Sequence, residues 1–524
     1  MPHLSRRSLL AAGAAMGALP LLPVRATAQL AAAPGTRRLT AGTRILDVNG
    51  RAAKVYGLTN ETGQPGLTLA PGERFHVTLA NQISDRTIIH WHGQLPPWRQ
   101  DGFPWSQVPR ILPGSTLTYD FAPIAGTYWM HSHEGLQEQR LMTAPLIVHT
   151  AEDMREDRQD VVLMLHDFSF AAPEKLLAQL TGQPVSAAYA MAHLTENVSA
   201  PAPSADGVAG MMRGSMQGMP GMMMQGSMQG MGSMQMGGMS AGGMAGMSSR
   251  AGMDLNDVAY DAFLANDRTL ADPELVRVER RGRLRLRVIN GASSSQFWLN
   301  LGSLTGRVVA VDGHEVHPVS GSVFPISMAQ RLDILLDLPG PGAFPILAQL
   351  EGSNRRTGIV LATQGAQVTR LAETGLDQAR PVDNSLELRL SAIQPLMARK
   401  PDMVHQIVLA GSMTPYKWSL NGQYWPNIAP LMLTKGQRVE IELVNQSMMA
   451  HPIHLHGHTF QVIAVNGQPI KGAVRDTVIV TPNMGSVRFA FDADNPGRWA
   501  LHCHNLYHMM TGMMTEFRYQ DIAV

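Results

Sequence analysis

The sequence predicts an all-β protein of three consecutive β-sandwich domains, and three observations predict it. Beyond residue 37 the chain consists of short alternating apolar runs separated by Gly, Pro and Asn, the pattern of half-buried strands. One such run recurs three times, as Gly72–Asn81, Gly282–Asn290 and Gly436–Asn445. A second run, opened by glycine, recurs as GTYWM from Gly126, GAFPI from Gly342 and GRWAL from Gly497. Self-similarity of this kind marks one structural unit used repeatedly. It sets the domains at 38–152, 158–368 and 384–524, in a chain of 524 residues that is too long for a single core.

The segment before the first strand reads as a signal. SRRSLL (Ser5–Leu10) is followed by a short apolar run through Leu22 and then Ala26-Thr27-Ala28, a charged region, a hydrophobic region and a small-residue cleavage site. Residues 1–28 are thus expected to be a twin-arginine signal peptide, on the Arg6-Arg7 pair, with export to the periplasm. An ordinary secretory signal with an incidental arginine pair is the alternative. No later apolar run is long enough for a membrane helix. The formal net charge of +1 implies neither nucleic acid nor an acidic membrane surface as a partner, and a monomer is expected. With a single cysteine, no intramolecular disulfide can form.

The repeats allow functional positions to be compared by counting. Nine residues after Asn81 comes His90-Trp91-His92, and nine after Asn445 comes His454-Leu455-His456; nine after Asn290 comes Leu299-Asn300-Leu301. Five residues after Gly126 comes His131-Ser132-His133, and five after Gly497 comes His502-Cys503-His504; five after Gly342 comes Leu347-Ala348-Gln349. The outer domains each carry two H-x-H pairs, and the middle domain reads as a spacer without metal. On a strand, residues i and i+2 share a face and i+1 takes the other. His502 and His504 would therefore face one site and Cys503 another. Two imidazoles, a thiolate and a distant thioether make a trigonal blue-copper centre, which domain 3 offers in His451, Cys503, His508 and Met513. The domain 1 counterparts, Thr87, Ser132, Gln137 and Met142, cannot make one. The eight histidines of the four H-x-H pairs remain to share a three-copper cluster between domains 1 and 3. His458 makes a further H-x-H with His456 and reads as structural or as support for a ligand.

Residues 206–253, inside domain 2, are a different material, with Met interleaved by Gly, Ser and Gln and no helix or strand period. Such a segment cannot bury enough to order itself and is expected to be a disordered insertion. It reads either as a linker that tolerates Met or as a thioether-rich collector of Cu(I), since soft sulfur ligands select cuprous copper.

HWHG, HSH, HPIHLHGH and HCHNLYHMMTGM resemble the four copper signatures of the three-domain multicopper oxidases, and the resemblance covers the whole mature chain. Within that family HSHEGLQEQ and HCHNLYHMMTGM look most like the bacterial copper-tolerance oxidases, while HLHGHTF also resembles laccases. The resemblance implies a cupredoxin-like Greek-key sandwich in each domain and four copper ions. By position, His451, Cys503 and His508 would ligate type 1 copper with Met513 axial. His90 and His454 would hold type 2 copper; His92, His131, His133, His456, His502 and His504 would hold the type 3 pair. Asp101 matches the family acid that assists proton delivery to the cluster, although Asp-Gly is also ordinary turn chemistry. Where some relatives place a second acid, this chain has Met509. Met448 and Met449 are the candidates for Cu(I) docking beside type 1 copper; the acid that relatives carry nearby aligns with Ser447, so here it must come from elsewhere or be absent.

The expected activity is one-electron oxidation of Cu(I), a copper-detoxifying role, coupled to reduction of dioxygen to water. The alternatives are a laccase acting on phenols, or a non-catalytic copper-sequestering protein in which the Met segment acts and the body is a scaffold. A scaffold has no need of ten positioned His and a Cys.

Overall fold

The computed structural model describes residues 35–187 and 255–522. The expected signal peptide and the methionine segment lie outside the described residues. The regular structure of the described chain is almost wholly strand, with short helices such as Pro173–Thr181 and Leu506–Met510 as exceptions. Six sheets fall into three successive pairs: four and four strands over 37–148, six and five over 159–363, seven and five over 403–519. The all-β expectation of three successive sandwiches therefore holds.

Each sandwich contains the same parallel neighbour pair: Arg37–Val48 with Phe75–Asn81, Gln159–Phe168 with Arg283–Asn290, and Met403–Met413 with Arg438–Asn445. Parallel neighbours need a crossover connection, so none of the three is a simple meander. The asparagine that ends each repeated run has one job in all three copies. Asn81 donates through Nδ2 to the carbonyls of Asp85 and Ile111, Asn290 to those of Ser295 and Ile326, and Asn445 to those of Met449 and Val480. Its Oδ1 accepts the N–H two residues on, at Ile83, Ala292 and Ser447. A buried amide with every group satisfied fixes how the chain leaves one sheet for the other. That is the physical content of the repeat.

The strand reached nine residues later lies antiparallel to the one opened by the repeated glycine. The register sets His90 opposite His131 in the first sandwich and His454 opposite His502 in the third. In the middle sandwich Leu299 pairs with Ala348, one place from the Leu347 that counting gives. The pair is apolar either way. The H-x-H strands Ile89–His92 and His451–Leu455 are buried on both faces, since one face meets the sandwich core and the other meets the neighbouring sandwich. Among the described residues, no helix is long and apolar enough to cross a membrane.

Candidate metal centre

The eight histidines of the four H-x-H pairs, two pairs from each outer sandwich, meet in one buried group. Ring centroids of His92 and His454 lie 3.7 Å apart, and those of His90 and His456 lie 3.9 Å apart, both stacked across the seam between the first and third sandwiches. His504 comes within 5.0 Å of both His92 and His131, while His502 lies 5.3 Å from His133. Burial foremost, then the neighbouring imidazoles, pushes His92, His131, His133, His454, His456 and His504 well below the ordinary histidine range. Burial likewise takes His502 down to about 4. Neutral imidazole is the form that binds a metal.

Five of these rings have Nδ1 against an oxygen of the protein, whereas His504 has a hydrogen bond at neither nitrogen. Nδ1 of His90 donates to the carbonyl of Asp101 at 2.8 Å, that of His454 to the carbonyl of Asp476 at 2.8 Å, and that of His502 to the carbonyl of Cys503 at 2.9 Å. His456 meets the Asp101 carboxylate at 2.7 Å and His131 meets Glu138 at 2.7 Å. His92 is turned the other way, with Nε2 3.1 Å from Asp476. A neutral ring has one proton, so a nitrogen that donates to a carbonyl leaves its partner as a bare acceptor. Two such acceptors face each other at 3.4 Å between His90 and His454, and at 3.0 Å between His456 and His502. Neither pair has a proton to share. Two nitrogens each about 2.0–2.1 Å from one ion would be separated in this way. Nδ1 of His92 and Nε2 of His131, His133 and His504 are likewise buried without a hydrogen bond. The donor set fits metal ions with a preference for imidazole, copper among them.

Cys503 sits one strand position from both His502 and His504, yet belongs to a second group. Its sulfur is 3.7 Å from Nδ1 of His451 and 3.7 Å from Nδ1 of His508, which are 3.1 Å from each other. Asn505 caps the short helix by accepting from the N–H groups of Tyr507 and His508, which swings His508 back over the cysteine. The Cys503 N–H donates to the Met513 carbonyl at 3.1 Å, bringing Met513 alongside, fully buried. Trp418 packs on the His508 ring at 4.0 Å. Burial pushes the Cys503 thiol far above its ordinary range, so it becomes a thiolate only when a metal takes the proton's place. The first sandwich repeats this loop without the ligands. Ser132 donates its N–H to the Met142 carbonyl as Cys503 does to Met513, but Thr87 and Ser132 both donate their hydroxyls to Gln137. Hydrogen bonds close there what the third sandwich leaves to metal.

Asp101 is wholly buried. Its carboxylate touches His456, and it lies 3.3 Å from His90 through the other oxygen, which has no hydrogen bond. It also ends the 3-10 turn Trp98–Gln100 before Gly102, whose φ of 82° and contact with Ile89 exclude a side chain. Asp101 thus both ends a turn and lies against two histidines of the cluster. His458 stands apart, bonded to Tyr519 at 2.8 Å and to the His456 carbonyl, in a structural role. Met448 is 58% exposed, whereas Met449 is buried and lines a small cavity with Met328, Glu351 and Asn505. Ser447 holds Nε2 of His451 at 2.7 Å.

Four carboxylates escaped the sequence reading. Asp257 lies 3.2 Å from Nε2 of His508 and accepts from Asn505, and its side chain is fully buried. Burial alone would raise its carboxyl, but His508, Asn505 and Tyr416 hold it below the ordinary carboxylate value. Glu138 holds His131, and burial first, then Asp167, pushes its carboxyl well up. Asp167 binds Ser293 and Ser294 of the middle sandwich. Asp476 holds His92, and burial pushes its carboxyl up against the opposing pull of Arg331. Only Glu138 carried a signal, its place within HSHEGLQEQ. The others come from loops and sandwiches distant in sequence. Asp257 and Arg331 both belong to the middle sandwich, which is therefore more than a spacer.

Three models described as multicopper oxidase match residues 41–153, 216–373 and 399–522. Multicopper oxidase MmcO of Mycobacterium tuberculosis is 30% identical over 490 residues, covering 92% of this chain and 87% of that protein. Copper resistance protein A of Escherichia coli is 26% identical over 612 residues, covering 95% of this chain and 94% of its own. Among solved structures, Fet3p, a multicopper oxidase that functions in iron import, superposes with a TM-score of 0.67 at 19% identity, over 93% of this chain and 90% of that one. A laccase from Botrytis aclada gives 0.67 at 20% identity, over 93% and 89%. At such identity these two likenesses concern the fold, which is the expected cupredoxin-like one.

Proposed function

The chain belongs to the multicopper oxidase family, and we propose that it takes single electrons from Cu(I) beside Cys503 and passes them to dioxygen, released as water, at the histidine cluster. Copper, when bound, supplies the one-electron chemistry that amino-acid side chains lack. Four ions suit the donors. His451, Cys503 and His508, with Met513, would hold one; His90 and His454 a second; His133, His456 and His502, and His92, His131 and His504, the other two. The observation that carries the reading is the ring of facing, protonless nitrogens at the seam of two sandwiches, joined to Cys503 by its own chain neighbours.

The protein's residues divide the work. Cys503 offers electrons a covalent route of one residue in each direction to His502 and His504. Asp101, buried against His90 and His456, holds a carboxyl where the four protons consumed per dioxygen must arrive. On the donor side, the buried thioether of Met449 and the carboxylate of Asp257 suit a small soft cation, and Asp257 covers the His508 edge that a bulky phenol would need to touch. Similarity to copper resistance protein A supports the same choice, as do the methionines of 206–253. The role is copper detoxification in the periplasm, reached by the twin-arginine route.

Protein loaded with copper should be intensely blue and consume dioxygen with Cu(I) at higher kcat/KM than with a phenol. A higher value for the phenol would make the protein a laccase. Copper binding without oxygen consumption would make it a sequestering protein.

A further inference from the structure

We infer that Arg331, from the middle sandwich, is a positioning residue for the cluster: its fork on Asp476 fixes the carboxylate that aims His92. The inference rests on the copper reading of the histidine ring.

Arg331 is fully buried and makes contacts in all three sandwiches. It donates from Nη1 to Oδ1 of Asp476 at 2.8 Å and from Nη2 to Oδ2 at 2.5 Å, a bidentate pair. Its Nε donates to the Thr127 carbonyl of the first sandwich at 3.2 Å, and Nη1 also reaches the Ala329 carbonyl at 3.0 Å. A bidentate guanidinium fixes the plane of a carboxylate as well as its place. In that plane, Oδ1 of Asp476 meets Nε2 of His92 at 3.1 Å and accepts the Thr477 hydroxyl at 2.9 Å. The ring nitrogen left over, Nδ1 of His92, has no hydrogen bond and is the one that can serve a metal. His92 thus presents the nitrogen opposite to that of His90 and His454, selected by the Asp476 carboxylate together with the Thr477 hydroxyl that it holds 3.2 Å from Nε2. Carboxylate partners of metal-binding histidines set tautomer and orientation in this way.

Two further observations support the assignment. Gly93, next to His92, has φ of 86°, and a Cβ there would lie 2.5 Å from Nη2 of Arg331 and 2.6 Å from Oδ2 of Asp476. The glycine of HWHG is bare because the ion pair occupies that space. Behind Arg331, Asp312 accepts its backbone N–H at 2.8 Å and pairs with Arg475, which pairs with Glu387. This buried row of alternating charges holds the guanidinium toward Asp476. Removing one member would leave an uncompensated buried charge, whereas replacing both by apolar groups of similar volume is often neutral.

That asymmetry supplies the test, on the full copper-loaded chain. Arg331→Met, and Arg331→Met combined with Asp476→Leu, are compared with the unsubstituted protein by chelator competition, copper per chain, the type 2 electron paramagnetic resonance signal and the blue band. Arg331→Met should hold cluster copper about 10–100-fold more weakly, with the blue band per chain unchanged. The double variant should regain thermal stability without regaining cluster affinity, because His92 still lacks its carboxylate. Cluster affinity at the unsubstituted value in either variant would overturn the inference. Should Arg331→Met not fold, Arg331→Lys, which keeps the charge and loses the bidentate fork, takes its place and should show the same weakening. Absence of cluster copper in the unsubstituted protein would instead refute the copper reading.

Discussion

Glu351→Gln should remove a pH dependence of stability that the fold builds into the boundary of the middle and third sandwiches. Glu351 is buried, and its carboxyl is raised by burial from 4.5 to about 7. Its oxygens accept from Gln296 Nε2 at 2.7 Å and the Val382 N–H at 2.8 Å. An acid with a raised folded pKa binds its proton more tightly in the native state. Stability is therefore unaffected below about pH 4.5, falls as pH rises from there to about 7, and stays lowered above. The interval from 4.5 to about 7, at 1.36 kcal/mol per unit, amounts to roughly 3 kcal/mol. Gln cannot ionise, so the variant lacks this slope. Its one oxygen accepts from one of the two donors and its N–H₂ faces the other, a fixed cost of about 1–3 kcal/mol that does not vary with pH. The measurement is the difference in unfolding free energy between variant and parent across pH 4–8, which cancels other titrating groups. The variant should gain roughly 3 kcal/mol on the parent between the two ends. A constant difference would show that Glu351 ionises in the folded protein as freely as in the unfolded chain, and would refute the reasoning.

Cys503→Ser should abolish the blue band and oxidation while the circular dichroism of the fold persists; a retained blue band would end the assignment of Cys503. Replacing His92 and His133 together should leave the blue centre reducible but slow its reoxidation by air, read by stopped flow, with normal reoxidation as the contrary result. Asp101→Asn should retain copper and lower turnover by about 10²–10⁴-fold; unchanged turnover across the pH range would leave Asp101 only as the end of its turn. Deleting residues 211–253 should lower Cu(I) oxidation at limiting copper, where local thioethers raise effective concentration, and have no effect at saturating copper. Equal saturation curves at low copper would make the segment a linker.

The middle sandwich lacks histidines at the ligand positions, yet it reaches both groups of histidines, one directly and the other through Asp476. Leu299 and Ala348 stand where the outer sandwiches have facing histidines, while Asp257 reaches His508 and Arg331 reaches Asp476. Where the three sandwiches meet, His92, His456 and His508 each have a carboxylate from outside their own unit.

By itself the sequence determined the class of fold, the threefold repetition and which side chains are candidate ligands. These follow from local rules: strand alternation puts His502 and His504 on one side and Cys503 on the other, and the repeated asparagine sets each H-x-H strand at a fixed distance along the chain. The contrast of His451, Cys503, His508 and Met513 with Thr87, Ser132, Gln137 and Met142 was legible for the same reason. Tertiary structure alone decided what holds those side chains. Asp476 lies 384 residues from His92, and Asp257 lies 251 from His508. No periodicity links partners so distant, and an isolated Asp or Arg in a loop looks like any solvated charge. For His92, His456 and His508 the carboxylate that meets the ring comes from another sandwich and arrives only when the three close on one another.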